Sequence, residues 1–218
     1  MSLTVAVEPH ALLEVAAFAT RLAQPLGELT TPLAIASLFE PGTTAPLISS
    51  DTVRTAIRDL LRAGGFKPAG RSKPASEYLH AAAAEDRFPR INAAVDACNA
   101  ASLHSGLPIS LIDLDLSAGD LRIVVAPPGT SYVFNPSGQV IDASGLLCLC
   151  DRDGPSGTPV KDAQRTKTSE TSRYVLSIVW GTRALPGRTA KATAWYRELV
   201  ATIPGATLEP VELAELSH

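Results

Sequence analysis

The chain has 218 residues, 45% of them hydrophobic, which is enough to form the core of one moderate-sized domain. Its net charge of −3 argues against a protein that coats nucleic acid, because such binding depends on neutralising many phosphates. A small RNA contact, such as one tRNA end, is compatible with this charge.

Membrane insertion and secretion are not indicated by the sequence. No apolar run approaches the ~20 residues that span a bilayer, and the N-terminus lacks the basic-then-apolar layout of a signal peptide. The three cysteines, Cys98, Cys148 and Cys150, form neither a metal-ligand spacing nor an even disulfide framework. We therefore expect a cytoplasmic protein with reduced cysteines in its core.

The first quarter of the chain predicts one short strand and two helices. Leu3–Val7 alternates as a strand, whereas His10–Leu26 carries apolar residues at helical spacing. Ala34–Phe39 is compatible with a further strand. Asp51–Gly64 predicts a helix, because its apolar residues lie on one face, Asp51 stands at the cap position and glycine follows.

A loop rich in cations precedes the next helix. Lys67, Arg71 and Lys73 stand within seven residues of a Pro/Gly-rich segment. Such a group either contacts a phosphate chain or forms an ordinary solvated loop, and the sequence leaves both readings open. In the Ala-rich helix that begins at Ser76, Glu77 either complements the helix dipole or contributes to a site.

The stretch Arg90–Asp115 predicts a helix, a stop at Gly106-Leu107-Pro108 and then a strand. Asn92 is the expected N-cap. Asn99 lies on the same helical face as Val95, where an apolar residue is expected. Its amide must therefore be hydrogen-bonded or line a pocket, and a purely structural hydrogen bond is the alternative to a binding role.

The second half of the chain is predicted to consist mainly of strands joined by turns. It also contains a turn-rich segment, a closing helix and an acidic tail. The predicted strands are Asp120–Ala126, Ser131–Phe134, Val140–Ile141, Leu146–Cys150 and Tyr174–Trp180; the turn-rich segment is Asp151–Lys161, the helix Gly187–Val200, and the loosely held tail 205–218.

Strands and helices alternate without regular βαβ repetition, which predicts an α+β (irregular α/β) fold with a mixed β-sheet and packed helices. We expect a single domain over residues 1–204, with a looser part (1–75), a core (76–181) and the closing helix (187–204).

Common catalytic motifs are absent from the sequence. There is no Gly-x-Ser-x-Gly elbow, phosphate-binding loop, dinucleotide fingerprint or His-Glu-x-x-His motif. His80 and His104 fall on predicted helices, where an exposed histidine is ordinary. No His, Asp, Glu or Cys cluster has a metal-ligand spacing, so we expect neither a metal nor a cofactor.

Two blocks of residues carry a resemblance to a known family. They occur in a fixed order and spacing over about Ser76 to Gly181: Arg90-Ile91-Asn92, Val95-Asp96, Asn99, Leu103, Gly106-Leu107-Pro108 and Asp113-Leu114-Asp115, and then Asp162, Arg165-Thr166-Lys167, Glu170-Thr171 and the strand Tyr174–Trp180. Together they resemble the B3/B4 editing domain of the phenylalanyl-tRNA synthetase β subunit. More closely, they resemble proteins that consist of that domain alone.

The resemblance implies a function in translation quality control. In the synthetase, this domain hydrolyses tyrosine wrongly attached to the phenylalanine tRNA. A cleft for the 3′ aminoacyl-adenosine and a positioned water would be expected here, with no covalent nucleophile and no metal. The leading hypothesis is therefore a stand-alone trans-editing hydrolase that deacylates misacylated tRNA.

The family's functional positions are partly retained. The Thr-Asn pair of the synthetase helix falls on Cys98-Asn99, and the histidine falls on Ser110. The editing-site glutamate falls near Ala163. The resemblance thus implies the class of reaction and leaves the amino acid open. We assign Asp162 and Lys167 catalytic roles, and we expect substrate contacts from Cys98, Asn99, Ser110, Arg165, Thr166 and Glu77.

Other readings remain open at this stage. The second hypothesis is a non-catalytic module that binds an aminoacyl-tRNA end, other RNA or a free amino acid. A third is an unrelated hydrolase that uses Ser110 as nucleophile, although the sequence shows no base for it. For the block 162–170, the structural alternative is an ion-pair network of Asp162, Arg165 and Glu170 that pins a loop.

Overall fold

The computed structural model describes residues 3–85, 87–88 and 90–216. Within these ranges the chain forms an eight-stranded mixed sheet, a two-stranded hairpin and five α-helices. This confirms the predicted α+β class. None of the helices in these ranges has both the length and the apolar character needed to cross a bilayer.

The strands and helices are numbered in chain order. The strands are β1 (Leu3–Val7), β2 (Leu13–Leu22), β3 (Ile109–Asp113), β4 (Leu121–Val125), β5 (Ser131–Val133), β6 (Val140–Asp142), β7 (Leu147–Asp151), β8 (Gly154–Gly157), β9 (Tyr174–Thr182) and β10 (Ala206–Glu215). The helices are α1 (Leu33–Ala36), α2 (Asp51–Arg62), α3 (Ala75–Ala84), α4 (Ala93–Ser105) and α5 (Arg188–Ala201).

The main sheet has the order β3-β9-β2-β10-β1-β4-β7-β8, and β5 and β6 form the separate hairpin. Strand β1 is parallel to both β10 and β4, and the other neighbours are antiparallel. Although β3 and β8 are the two edges, they approach each other: a methyl group on Gly157 would lie 3.1 Å from the Cβ atom of Ser110. We call the region between Ile109–Asp113 and Gly154–Gly157 the seam.

Helix α4 leads directly into the seam, and its limits follow from local chemistry. The side chain of Asn92 accepts a hydrogen bond from the backbone N–H of Val95 at 3.0 Å, as expected for an N-cap. Gly106 ends the helix in the left-handed conformation, with φ of +71°. The chain then turns through Pro108 into β3. The predicted helix, stop and strand are confirmed.

Helix α2 is also confirmed, but the predicted cap is wrong. Ser50, not Asp51, caps the helix, because the Ser50 hydroxyl accepts from the backbone N–H of Val53 at 3.4 Å while Asp51 is the first helical residue. In that position the Asp51 carboxylate lies near the positive end of the helix dipole.

Two predictions for the first fifty residues are wrong. His10–Leu26 does not form a helix; its central part is strand β2, which lies between β9 and β10. A strand with neighbours on both sides in a folded sheet buries apolar residues on both faces, so its sequence does not alternate and periodicity alone cannot separate it from a helix. Ala34–Phe39 is not a strand and forms the end of α1 and one 3₁₀ turn.

The predicted acidic tail is likewise wrong over the described residues. Residues 206–215 form β10, which pairs with β1 and β2 inside the sheet. Glu209 accepts hydrogen bonds from Arg21 at 2.6 Å and from Tyr174 at 2.9 Å. The last two residues of the predicted tail, 217 and 218, lie outside the described residues.

The remaining elements lie close to their predicted positions. Strand β9 and helix α5 match the predicted strand Tyr174–Trp180 and the closing helix, and α5 packs against β9, β2 and α4. The turn-rich segment after β7 contains the short strand β8, which forms one side of the seam. All three cysteines are free and buried, as predicted.

Candidate functional site

Two predicted site residues, Ser110 and Asp162, meet at the seam. The Asp162 carboxylate accepts the backbone N–H of Leu111 at 3.1 Å and that of Thr158 at 3.2 Å. The fully buried Ser110 hydroxyl donates to the carbonyl of Thr158 at 3.1 Å and accepts from Trp180 Nε1 at 2.8 Å. These contacts hold an acid and a hydroxyl in a fixed arrangement between the two edge strands.

The environment of Asp162 makes its carboxylate a stronger base than usual. Burial raises its pKa from 3.8 to about 6, although the backbone hydrogen bonds from Leu111 and Thr158 and the charge of Lys167 favour the ionised form. A carboxylate with a pKa near 6 is largely ionised at neutral pH and can still accept a proton. These are the properties required of a general base.

Lys167 brings an ammonium group to the same region. Its backbone forms a β-bridge with Ile112 of β3, and its Nζ atom donates to the carbonyl of Phe134. Burial lowers the pKa of Lys167, and the nearby Asp162 carboxylate opposes that shift. The two predicted catalytic residues thus influence each other electrostatically, although they form no direct ion pair in the described part of the chain.

Arg165 does not point a free guanidinium at a ligand. It forms two hydrogen bonds to the fully buried carboxylate of Asp151, at 2.7 and 2.9 Å. Its remaining contacts are with strand β8: the carbonyls of Gly154 and Pro155 and the hydroxyl of Ser156. This geometry favours a structural role over the predicted substrate contact, and the partner is Asp151 instead of Asp162 or Glu170.

Thr166 is fully buried, and its hydroxyl donates to the Ser156 carbonyl at 3.2 Å. Its geometry therefore also favours a structural role. Together, Arg165 and Thr166 fasten the segment that carries Asp162 and Lys167 to β8. The block 162–167 thus contains the two predicted catalytic residues together with the side chains that hold them against β8.

The two neighbouring residues of α4, Cys98 and Asn99, differ in their surroundings. Cys98 is buried and its thiol donates to the Ile109 carbonyl at 3.8 Å, and burial raises the pKa of the thiol. Asn99 is half-buried, and its side chain forms no hydrogen bond within the described ranges. No described contact joins Asn99 to Asp162 or Ser110, so its role in binding stays a prediction.

Glu77 lies on α3 and is committed to an ion pair. Both carboxylate oxygens accept from Arg58 of α2, each at 2.6 Å, and only 12% of the Glu77 side chain is exposed. Glu77 also lines a cleft of about 380 Å³ between α2, α3 and Gly106, which is not lined by Ser110, Asp162 or Lys167. The predicted contact of Glu77 with the substrate is therefore not favoured.

Sequence reasoning missed several residues that build the site. Thr158 and Lys161 belong to the loop after β8: the Thr158 hydroxyl donates to the Lys161 carbonyl at 2.9 Å, and Tyr132 donates to the same carbonyl at 2.6 Å. Phe134 follows β5, and Lys161 Nζ lies 4.1 Å from its ring centroid. The turn-rich segment Asp151–Lys161 is evident in the sequence. The approach of the β5–β6 hairpin and Phe134 to Lys161 depends on the fold and could not be predicted.

No histidine contacts Ser110 in the described part of the chain, and the serine proton is donated to a carbonyl. A hydrolase with Ser110 as nucleophile is therefore disfavoured, because the hydroxyl donates its proton to the Thr158 carbonyl and not to a base. Within the same ranges, no group of three or more His, Cys, Asp or Glu residues is placed to hold a metal ion.

Gly157 offers a direct probe of the seam. Substitution Gly157→Ala would place a methyl group 3.1 Å from Ser110 Cβ and 3.2 Å from Ser110 Oγ, closer than most Cβ contacts in proteins. We expect the variant to lose about 1–3 kcal/mol of unfolding free energy through overpacking. Urea denaturation of wild type and variant measures this.

An eight-stranded mixed sheet whose edges converge on an acid and an ammonium group, with α4 leading into the seam, defines an α+β domain. A family model described as the B3/4 domain matches residues 67–191, more than half of the chain. The chain belongs to the B3/4 domain family.

Comparison with solved structures confirms the fold. The protein is similar to an N-terminal fragment of the phenylalanyl-tRNA synthetase β subunit from Pyrococcus horikoshii, with a TM-score of 0.53 and 10% sequence identity. The match covers 99% of this chain and 52% of the fragment, so the chain spans about half of that structure. At this identity the likeness concerns the fold alone. No curated protein matches the chain.

Proposed function

We propose that this protein hydrolyses the ester bond of misacylated tRNA. The observation that carries the proposal is the pair of Asp162 and Lys167 at the seam, next to Ser110. The family and the fold support a domain related to aminoacyl-tRNA synthetases, and the seam supplies the groups that ester hydrolysis needs.

The proposed chemistry uses water as the nucleophile. The ionised Asp162 accepts a proton from water as the water oxygen forms a bond to the ester carbonyl carbon. Lys167 stabilises the negative charge that develops on the carbonyl oxygen. When the bond between this carbon and the ribose oxygen breaks, Asp162 returns the proton to the ribose oxygen. The products are a free amino acid and an uncharged tRNA 3′ end.

Purified protein and a panel of mischarged tRNAs test this proposal. The panel includes D- and non-protein amino acids, because the groups that read tyrosine in the synthetase are replaced here. We expect release of the amino acid above the uncatalysed rate for at least one member. No deacylation of any member would contradict the proposal.

A second function, binding without catalysis, is supported by a different observation. Each oxygen of Asp162 already accepts a backbone N–H, which is also the arrangement of a purely structural carboxylate. Thermal-shift screening against amino acids separates the two functions, because a ligand that binds the folded state raises the melting temperature. A shift without any hydrolysis would favour the binding module.

A further inference from the structure

The cleft between helices α2 and α3 is separate from the seam. Its volume is about 380 Å³, which suits a small molecule. Buried Ile57 and Pro74 line it together with Ala81, so part of its wall is apolar. In the described part of the chain, no residue of the seam lines this cavity. We call it the α2–α3 cleft.

Two helices begin at the α2–α3 cleft. Asp51, the first residue of α2, and Ser76, the second residue of α3, both line it. The first N–H groups of a helix have no partner within the helix and carry the positive end of its dipole. In the described ranges, the backbone N–H groups of Asp51, Thr52 and Ser76 donate to no other protein atom. Two positive helix ends therefore face one small cleft, where negative charge is favoured.

The side chain of Ser76 points independently to a ligand. Only 3% of Ser76 is exposed, and its hydroxyl forms no hydrogen bond within the described residues. Buried hydroxyls are nearly always paired, as those of Ser102 and Ser110 are here. The Ser76 hydroxyl is not sealed inside the protein, unlike the unpaired oxygen atoms of Thr20 and Gln164. It is therefore left to pair with a molecule in the cleft that Ser76 lines.

Gly106 keeps one edge of the cleft open. Its φ is +71°, and a methyl group on it would lie 2.5 Å from Ser49 Oγ, too close for a real contact. The glycine thus lets the Ser49 side chain approach the end of α4. Ser49 also lines the cleft, and its hydroxyl forms no hydrogen bond in the ranges that the structure describes. Two serine hydroxyls are therefore available as donors beside the two helix ends.

The charged side chains around the cleft balance one another. Arg54 pairs with Asp51 at 2.9 Å, and Arg58 pairs with Glu77 at 2.6 Å. Partial burial lowers the pKa of His80, which keeps its imidazole neutral at neutral pH. The attraction for an anion therefore comes from the helix ends, each equivalent to roughly half a charge. This favours a ligand with a single negative charge over a polyanion, which needs several unpaired cations.

We propose that the α2–α3 cleft binds a small carboxylic acid in its ionised form. The carboxylate lies between the first turns of α2 and α3 and accepts from the Ser76 hydroxyl, and the apolar body packs against Ile57, Pro74 and Ala81. The inference does not depend on hydrolysis at the seam. It adds a second ligand site to the proposed function.

Benzoate is the probe, and the amide chemical shifts of the isotope-labelled full chain are the measurement. Benzoate joins one carboxylate to a flat apolar body that is small enough for a cleft of about 380 Å³. We expect saturable shifts of the Asp51, Thr52 and Ser76 amide signals, with a Kd on the order of 1 mM for so small a ligand. Benzamide has the same shape without the charge and should bind at least about 10-fold more weakly.

Two variants test the residues that form the cleft. Ser76→Ala removes the hydroxyl and should weaken benzoate binding about 10-fold or more, because hydrogen bonds to charged groups are the stronger ones. Ser131→Ala, exposed on β5 outside the cleft, is the matched control and should leave the Kd unchanged. Ala81→Leu fills the cleft from an exposed position of α3 and should abolish the saturable shifts. Leucine is a good helix former, and thermal unfolding checks that each variant folds.

Several outcomes would overturn the inference. No saturable shift at any amide would do so, and shifts confined to the amides of Leu111 and Thr158 would place benzoate at the seam. Wild-type affinity in both Ser76→Ala and Ala81→Leu would remove the cleft as the site. Inorganic phosphate that binds as tightly as benzoate would show a site for any anion, not for a carboxylic acid. None of these measurements uses a tRNA ester, so the cleft and the hydrolase proposal can fail independently.

Discussion

Replacing Asp162 with asparagine is expected to lower the rate of ester hydrolysis by about 100-fold or more, the usual contribution of a positioned general base. Asparagine is nearly the same size but cannot accept the proton of the attacking water. Single-turnover deacylation of the best substrate in the mischarged panel measures the loss. Lys191→Gln, which is exposed on α5, is the control for a change of charge outside the seam.

The wild-type protein offers a test that needs no substitution. Because the pKa of Asp162 is raised to about 6, the ionised fraction, and with it the rate, should rise about tenfold per pH unit below that value and become constant above it. A rate that stays constant between about pH 4.5 and 7 would contradict the assignment of Asp162 as base.

The pH dependence of the unfolding free energy gives an independent measure of the Asp162 pKa. Its pKa is higher in the folded protein than the ordinary value of 3.8, so the folded state binds the proton more tightly. The stabilisation from that proton is complete below about pH 4 and is lost as the pH rises through about 6. Asp162→Asn should lack this dependence. The difference in unfolding free energy between wild type and variant should therefore change by about 1–3 kcal/mol over this range.

The asparagine substitution has a structural cost that must be separated from its effect on catalysis. The two oxygens of Asp162 accept backbone N–H groups of Leu111 and Thr158, and an amide nitrogen placed against one of them would oppose donor to donor. Lys167→Met avoids this cost, and removing the charge that stabilises the oxyanion should also slow hydrolysis. A rate loss in both variants with a retained fold supports a catalytic pair. Unchanged rates in a folded Lys167→Met variant would remove Lys167 from it.

The sequence predicted the centre of the chain better than its ends. Helix α4 carries its own signals, the Asn92 cap and Gly106, so local chemistry determines its limits. Strand β2 has no such local signals, because Leu13–Leu22 carries apolar residues on both faces of the sheet. Strand β10 carries no period-2 signal either, because Glu209, Glu212 and Glu215 recur every third residue, and these glutamates indicate a solvated tail instead.

The candidate site likewise contains features that the sequence could predict and features that only the fold determines. That Asp162 and Ser110 meet could be expected only from the family resemblance, because 52 positions separate them in the chain and the approach of β3 to β8 brings them together. The role of Arg165 could not be read from the sequence. Several acidic residues lie near Arg165 in the sequence, and only the fold shows that its partner is the buried Asp151.

Arg165→Met is expected to produce the largest loss of stability of the changes considered, about 3–5 kcal/mol of unfolding free energy. The substitution leaves the fully buried carboxylate of Asp151 with only two backbone donors, Ala118 and Asp153. It also removes the contacts of the guanidinium to strand β8. Urea denaturation at neutral pH measures the loss.

The charge of Asp151 makes this loss depend on pH. Burial alone would raise the pKa of Asp151, but hydrogen bonds from Arg165, Ala118 and Asp153 outweigh it and lower the pKa below 3.8. The ion pair therefore stabilises the fold above the unfolded pKa, and this contribution is lost as the pH falls through the folded one. The stability difference between wild type and Arg165→Met should accordingly shrink in acid.

Two further variants show whether the burial of the pair, and not the loss of any arginine, is responsible. Arg62→Met breaks the exposed pair with Asp59 and should cost less than about 1 kcal/mol. The double variant Asp151→Asn with Arg165→Met removes the unpaired charge, so it should be more stable than Arg165→Met alone. If Arg165→Met costs no more than Arg62→Met, the pair does not hold the seam together. Asp162 and Lys167 must then owe their positions to the β-bridge of Lys167 with Ile112 and to the contacts of Thr158.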